Sequence, residues 1–159
     1  MRFVIFCLFC SLSAMAQNTG AGFMLGNPTA IVGKWVQDQR VAYQGGLAFD
    51  FDDAMLVFGD YLLQYPGALK TQQSVINRIV PYIGFGGVIA ITTEDRRRDE
   101  EFLGKDSGSF GMGVRVPLGL ELRFQDPSIG VFLALAPGIS IFPETSAYFM
   151  GGLGGRFYF

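Results

Sequence analysis

The sequence predicts an all-β fold, an eight-stranded antiparallel transmembrane up-and-down β-barrel, and three observations point there. Apolar residues alternate with small or polar ones in segment after segment, the period of a strand with two unlike faces. The 159 residues are 50% hydrophobic and only 16% charged. Beyond the first few residues, however, no apolar run approaches the roughly 18 residues that a spanning helix needs. Finally, the face opposite the apolar one carries Gly, Ala and isolated charges in place of the Lys, Thr and Ser of a solvated sheet. A membrane barrel disperses its hydrophobicity in this way, with the apolar side toward lipid. A soluble lipocalin-like barrel would reverse the faces and need a polar exterior.

Residues 1–16 have the pattern of a signal peptide: Met1-Arg2, an apolar core from Phe3 to Leu12, and Ala14-Met15-Ala16 as a small-x-small cleavage site. Cleavage after Ala16 would leave residues 17–159 as the barrel. The apolar core is too short for a retained anchor, and Leu8-Phe9 before Cys10 do not fit a lipidation site. Cys7 and Cys10 both fall in the leader, so the barrel is expected to hold no disulfide and no thiolate.

Gly26-Asn27-Pro28 divides the next stretch into two strands, near Asn18 to Gly26 and Thr29 to Gln37, each about 9 residues and enough to cross a bilayer when tilted. From Arg40 to Phe51, Val41, Tyr43, Leu47, Phe49 and Phe51 oppose Arg40, Ala42, Gln44, Gly46, Ala48 and Asp50. Ala54 to Gln64 is less regular, because Leu56, Phe58 and Leu62 share a face with Asp60. In the segment from Ile79 to Thr92, Ile79, Ile83, Phe85, Ile89 and Ile91 face outward.

Between Phe110 and Phe124 every even-numbered residue is apolar, whereas the odd set reads Gly111, Gly113, Arg115, Pro117, Gly119, Glu121, Arg123. Val131 to Ile141 and Tyr148 to Phe159 repeat the pattern. Turn signals separate the segments at Gln37-Asp38-Gln39, Asp52-Asp53, Asp126-Pro127-Ser128 and Pro143-Glu144-Thr145. Single-chain barrels have an even strand count, with both termini and the short turns on the periplasmic side. That parity places the charged loop, Glu94 to Ser109, outside, and a long connection, Pro66 to Asn77, inside.

An eight-stranded barrel is just wide enough for side chains to fill it. Charges at membrane depth turn inward and pair, which makes Lys34, Arg40, Asp50, Asp60, Arg115, Glu121, Arg123 and Arg156 the lumen set. On one strand Glu121 lies two residues from Arg123 and six from Arg115. These charges can form an ion-pair network that plugs the barrel, or they can line a narrow path for ions or very small solutes.

Enzyme chemistry is not expected. The chain has no histidine, and a Ser or Thr nucleophile would have only Lys34 or Glu121 as an inner base, with no hydroxyl placed beside either. No cofactor or metal is expected, since no thiolate, histidine or helix-opening glycine loop is present. Removal of the leader leaves 11 basic and 14 acidic residues, a net charge of −3, which argues against a nucleic-acid partner. Outside, Arg96-Arg97-Arg98 sit among acidic neighbours, a solvated run that could touch surface glycans or lipid head groups. Trp35, Tyr43, Tyr61 and Tyr65 suit the interfacial girdles.

The ending Gly151-Gly152-Leu153-Gly154-Gly155-Arg156-Phe157-Tyr158-Phe159 resembles the carboxy-terminal insertion signal of bacterial outer-membrane barrels, with Phe157 and Phe159 as its alternate aromatics. The resemblance implies outer-membrane lipid and the barrel assembly machinery as partners. More widely, the chain is similar to an uncharacterised family of small bacterial outer-membrane β-barrel proteins, eight-stranded and OmpA/OmpX-like. The similarity lies in Gly26-Asn27-Pro28-Thr29 with Gly33-Lys34-Trp35, Asp60-Tyr61-Leu62, Pro81-Tyr82-Ile83-Gly84-Phe85-Gly86-Gly87, Arg115-Val116-Pro117-Leu118-Gly119-Leu120-Glu121, and Ala136-Pro137-Gly138 with Pro143-Glu144-Thr145. It implies fold and location and brings no activity.

Overall fold

The computed structural model describes residues 18–49, 54–69, 76–92 and 110–159. The expected leader, Asp50, Asp52-Asp53, half of the Pro66 to Asn77 connection and the loop with Arg96, Arg97 and Arg98 therefore lie outside the described residues. The strands are β1 (Thr19–Asn27), β2 (Thr29–Val36), β3 (Val41–Phe49), β4 (Ala54–Gln64), β5 (Ile79–Thr92), β6 (Phe110–Arg115), β7 (Leu118–Arg123), β8 (Ile129–Phe142) and β9 (Ser146–Tyr158). A 3-10 turn, Ile76–Arg78, leads into β5.

All pairings are antiparallel, and they close. Apart from β6 and β7, each strand joins its sequence neighbour, β1 pairs with β9, and β6 and β7 both lie between β5 and β8. β6 and β7 are therefore two halves of one wall strand, and the cylinder has eight. The expected continuous strand from Phe110 to Phe124 is interrupted at Val116-Pro117, because Pro117 has no N–H for the ladder. The wall stays joined across the break: the Val116 N–H donates to Pro137 O at 2.9 Å, and the Gly84 N–H donates to Pro117 O at 2.7 Å. Closure leaves no exposed sheet edge to template aggregation.

Alternation then sorts the side chains into an outside and a lumen. Phe23, Leu25, Phe85, Ile141, Phe149, Leu153 and Phe157 are exposed on the outer face, with Phe23 and Phe85 each 64% exposed. Trp35, Tyr43 and Tyr61 lie in one cross-strand row and contact as rings, Trp35 stacked on Tyr43 at 5.6 Å and Tyr61 edge-on to Tyr43 at 5.5 Å. The β2–β3 hairpin is closed by Asp38, whose Oδ1 accepts from the Arg40 and Val41 N–H groups at 2.7 and 2.8 Å.

The lumen is a packed core. Leu56, Phe58 and Leu62, the residues that made β4 look irregular, all point inward and are buried with Asp60 and Gln64. Phe58 and Phe132 join Met24, Val32, Val88, Tyr148 and Met150 in one apolar cluster. Ala42, Leu62 and Tyr82 form a second cluster, with Val36 against it. Small residues make room for the large ones. The Phe58 ring lies over Gly46, its register partner on β3, and the Phe132 ring over Gly154, its partner on β9.

Candidate functional site: two buried charge clusters in the lumen

Of the eight sequence-selected lumen charges Asp50 lies outside the described residues, and six of the other seven point inward in two clusters. The first, near mid-barrel, is Arg115 on β6 with Asp60 on β4. The two strands are not neighbours, since β5 lies between them, and the residue in register with both is Gly86. A Cβ at Gly86 would collide with Asp60 Oδ1. Glycine there lets the guanidinium reach over β5 and bind the carboxylate in two places, Nε to Oδ1 at 2.8 Å and Nη2 to Oδ2 at 2.5 Å. This fork-to-fork geometry is the strong form of an ion pair. The Phe58 ring lies 3.9 Å from the guanidinium carbon, and Nη1 reaches Met150 Sδ at 3.5 Å.

The second cluster occupies the half of the lumen nearer the chain termini and centres on Glu121, which is fully buried at 0% exposure. Lys34 Nζ donates to Glu121 Oε2 at 2.5 Å. β2 and the β6/β7 strand are four positions apart in the ring of eight, so this bond runs from one wall to the opposite one. Tyr158 donates its hydroxyl to Glu121 Oε1. Arg123 Nη2 and Arg156 Nε stand 3.6 and 3.8 Å from the carboxylate. Two glutamines finish the ring: Gln64 Oε1 accepts from Arg123 Nη2 at 2.5 Å, and Gln44 Oε1 accepts from Arg156 Nη2 at 2.9 Å. Arg156 also stacks 4.0 Å from the Phe132 ring centre.

The seventh selected charge, Arg40, is not in the lumen. It is exposed in the turn before β3, which begins at Val41, because the alternation that set it beside Ala42 and Gln44 stops where the strand does. Glu121 contacts Arg123, as its spacing suggests, but Arg115 turns away to Asp60, and the cation closest to Glu121 is Lys34. The partners Gln44 and Tyr158 carry the inner parity in the sequence, as does Tyr82, whose ring centre lies 5.2 Å from Lys34 Nζ. Gln64 ends its strand, and nothing local distinguishes it from a solvated glutamine. Phe157 and Phe159 lie on the outer face, and the Phe159 N–H donates to Thr19 O at 3.0 Å, joining the last residue to the first strand.

Among the described residues no group of His, Cys, Asp and Glu is placed to hold a metal. The lumen geometry offers instead salt-bridge struts and oriented N–H donors.

A family model described as "Protein of unknown function (DUF3996)" matches residues 11–158. No curated protein matches the chain. Among solved structures, the chain is similar to the crystal structure of the N-terminal β-barrel domain of Pseudomonas aeruginosa OprF, with a TM-score of 0.60 and 17% identity over 90% of this chain and 98% of that one. At that identity the likeness is one of fold.

Proposed function

The chain belongs to the DUF3996 family, and from its geometry we propose that it is a non-enzymatic outer-membrane barrel with a structural or surface-interaction role, its lumen filled by an ion-pair network. The observation that carries this reading is the Lys34–Glu121 strut, which crosses the lumen from wall to wall at 2.5 Å. Beyond it, toward the far end, come the Arg115–Asp60 fork and the apolar cluster of Phe58, Phe132, Met24 and Met150. A hydrated ion moving along the axis would have to break a buried pair, which costs about 3–5 kcal/mol, and then pass an apolar plug. The outward aromatic and aliphatic surface supports lipid as the surrounding medium, because an apolar patch of this extent is not left in water. The signal-peptide pattern, with cleavage near Ala16, and the terminal Phe157 and Phe159 support export and recognition by the assembly machinery.

Planar-bilayer recording of the refolded protein tests the plug. Wild type is expected to give no discrete conductance; steps whose ion selectivity changes in Arg115→Ala or Arg123→Ala would establish the narrow pore instead. For location, the protein is expected in the outer-membrane fraction with heat-modifiable migration on gels. Recovery of the native protein from a soluble periplasmic fraction would end the membrane reading.

A further inference from the structure

The Glu121 cluster is out of charge balance. Lys34, Arg123 and Arg156 surround one carboxylate, while Asp60 is committed to Arg115 by two hydrogen bonds. The cluster also has too many donors. The buried side-chain nitrogens and oxygens without a hydrogen-bond partner among the described residues are Gln64 Nε2, Arg123 Nε, Arg156 Nε and Arg156 Nη1. All four are N–H groups, and all belong to this cluster. Arg156 is only 2% exposed, so water in bulk does not answer its Nε and Nη1. Each carboxylate and amide oxygen of the cluster already accepts one hydrogen bond: Glu121 Oε1 takes the Tyr158 hydroxyl, Glu121 Oε2 takes Lys34, and the Gln44 and Gln64 carbonyls take one arginine nitrogen each.

Two surplus positive charges and four unanswered donors in the cluster around one carboxylate are the recognition chemistry of an anion. A buried, unpaired charge is costly unless a counter-charge joins it. We infer that the cluster is a binding site for one small inorganic anion of chloride size, held by Arg156, Arg123 and the Gln64 amide beside the Lys34–Glu121 strut. Access is from the end of the barrel that carries the chain termini. There the Arg123 side chain is 31% exposed, whereas the apolar cluster of Phe58, Met24 and Met150 stands on the other side. The site needs only the lumen geometry, so a sealed barrel and a conducting one would both contain it. Its fate is separate from that of the plug reading.

Crystals of the refolded full barrel grown in bromide in place of chloride provide the direct test. An anomalous peak within hydrogen-bond reach of Arg156 Nη1 and Arg123 Nε is expected, and density there without anomalous signal would overturn the site in favour of water. In solution, line broadening of the chloride-35 resonance by the detergent-solubilised protein is expected. Arg156→Gln should weaken chloride binding by about tenfold or more, the scale of one lost charge-assisted hydrogen bond. Gln64→Met, which keeps every lumen charge, should weaken it less, and Arg40→Gln in the exposed turn should leave it unchanged. Broadening that is equal in wild type, Arg156→Gln and Gln64→Met would refute the assignment.

Discussion

Whether Arg115 and Asp60 meet is decided by a third residue, Gly86, which neither carries charge nor touches solvent. Gly86→Ala would set a methyl group against Asp60 Oδ1 and the Gly59 carbonyl. It should cost about 2–4 kcal/mol through overpacking and a strained ion pair, read as a lower urea midpoint for the detergent-refolded barrel. Gly59→Ala is the matched control, since nothing lies within 4 Å of a Cβ there, and its midpoint should not move. Glu121→Gln should be as damaging or more so, about 3 kcal/mol or above, because three cations lose their common counter-ion. Of these relations the sequence showed the inner parity of Lys34, Asp60, Arg115, Glu121, Arg123 and Arg156, since parity is a local property. It could not show who pairs with whom. Lys34 and Glu121 are 87 residues apart, and only closure of the ring brings their walls face to face.

At the scale of elements, the strands were legible nearly throughout, because a wall with an apolar outer face and a narrow lumen behind it repeats one period. The exceptions have particular causes. β4 looked irregular because its inner face carries Leu56, Phe58 and Leu62, and inner-face hydrophobicity breaks the contrast on which alternation is seen. Phe58 and Leu62 fill space that Gly46 and Gly84 leave open. Arg40 was carried into the lumen set by extending strand parity one residue into a turn. That turn depends on Asp38, so Asp38→Ala should remove two side-chain bonds to Arg40 and Val41, at about 1 kcal/mol net. Faster amide exchange at Val41, with little change at β8, is the expected signature. At the other seam, deletion of Phe159 removes its N–H bond to Thr19 and an outer aromatic side chain. Insertion into vesicles should slow relative to wild type, and an unchanged rate would count against a role for the last residue in assembly.

As a whole molecule the protein is a soluble barrel with its faces exchanged: its exterior is greasy and its centre ionic. The apolar cluster around Phe58 and Phe132, though, is also inside, and composition alone could not place it. The two kinds of filling divide the lumen along its length, with charge concentrated toward the termini and rings toward the far mouth. Global unfolding should therefore depend on salt in a lopsided way. Raising ionic strength should loosen amides on β7 and the end of β9 before those flanking Phe58, a gradient measurable by hydrogen exchange in detergent.

The fit of the Phe58 ring over Gly46 has a consequence for how the strands find their alignment. A slip of two residues between β3 and β4 keeps every side chain on its proper face and restores the backbone ladder, so neither facial alternation nor hydrogen bonding objects to it. It would, however, bring Phe58 opposite Ala48 or Gln44, where a side chain already occupies the space the ring needs. The lumen thus acts as a ratchet on registration: the wrong notch is refused by volume alone, before any charge has found its partner.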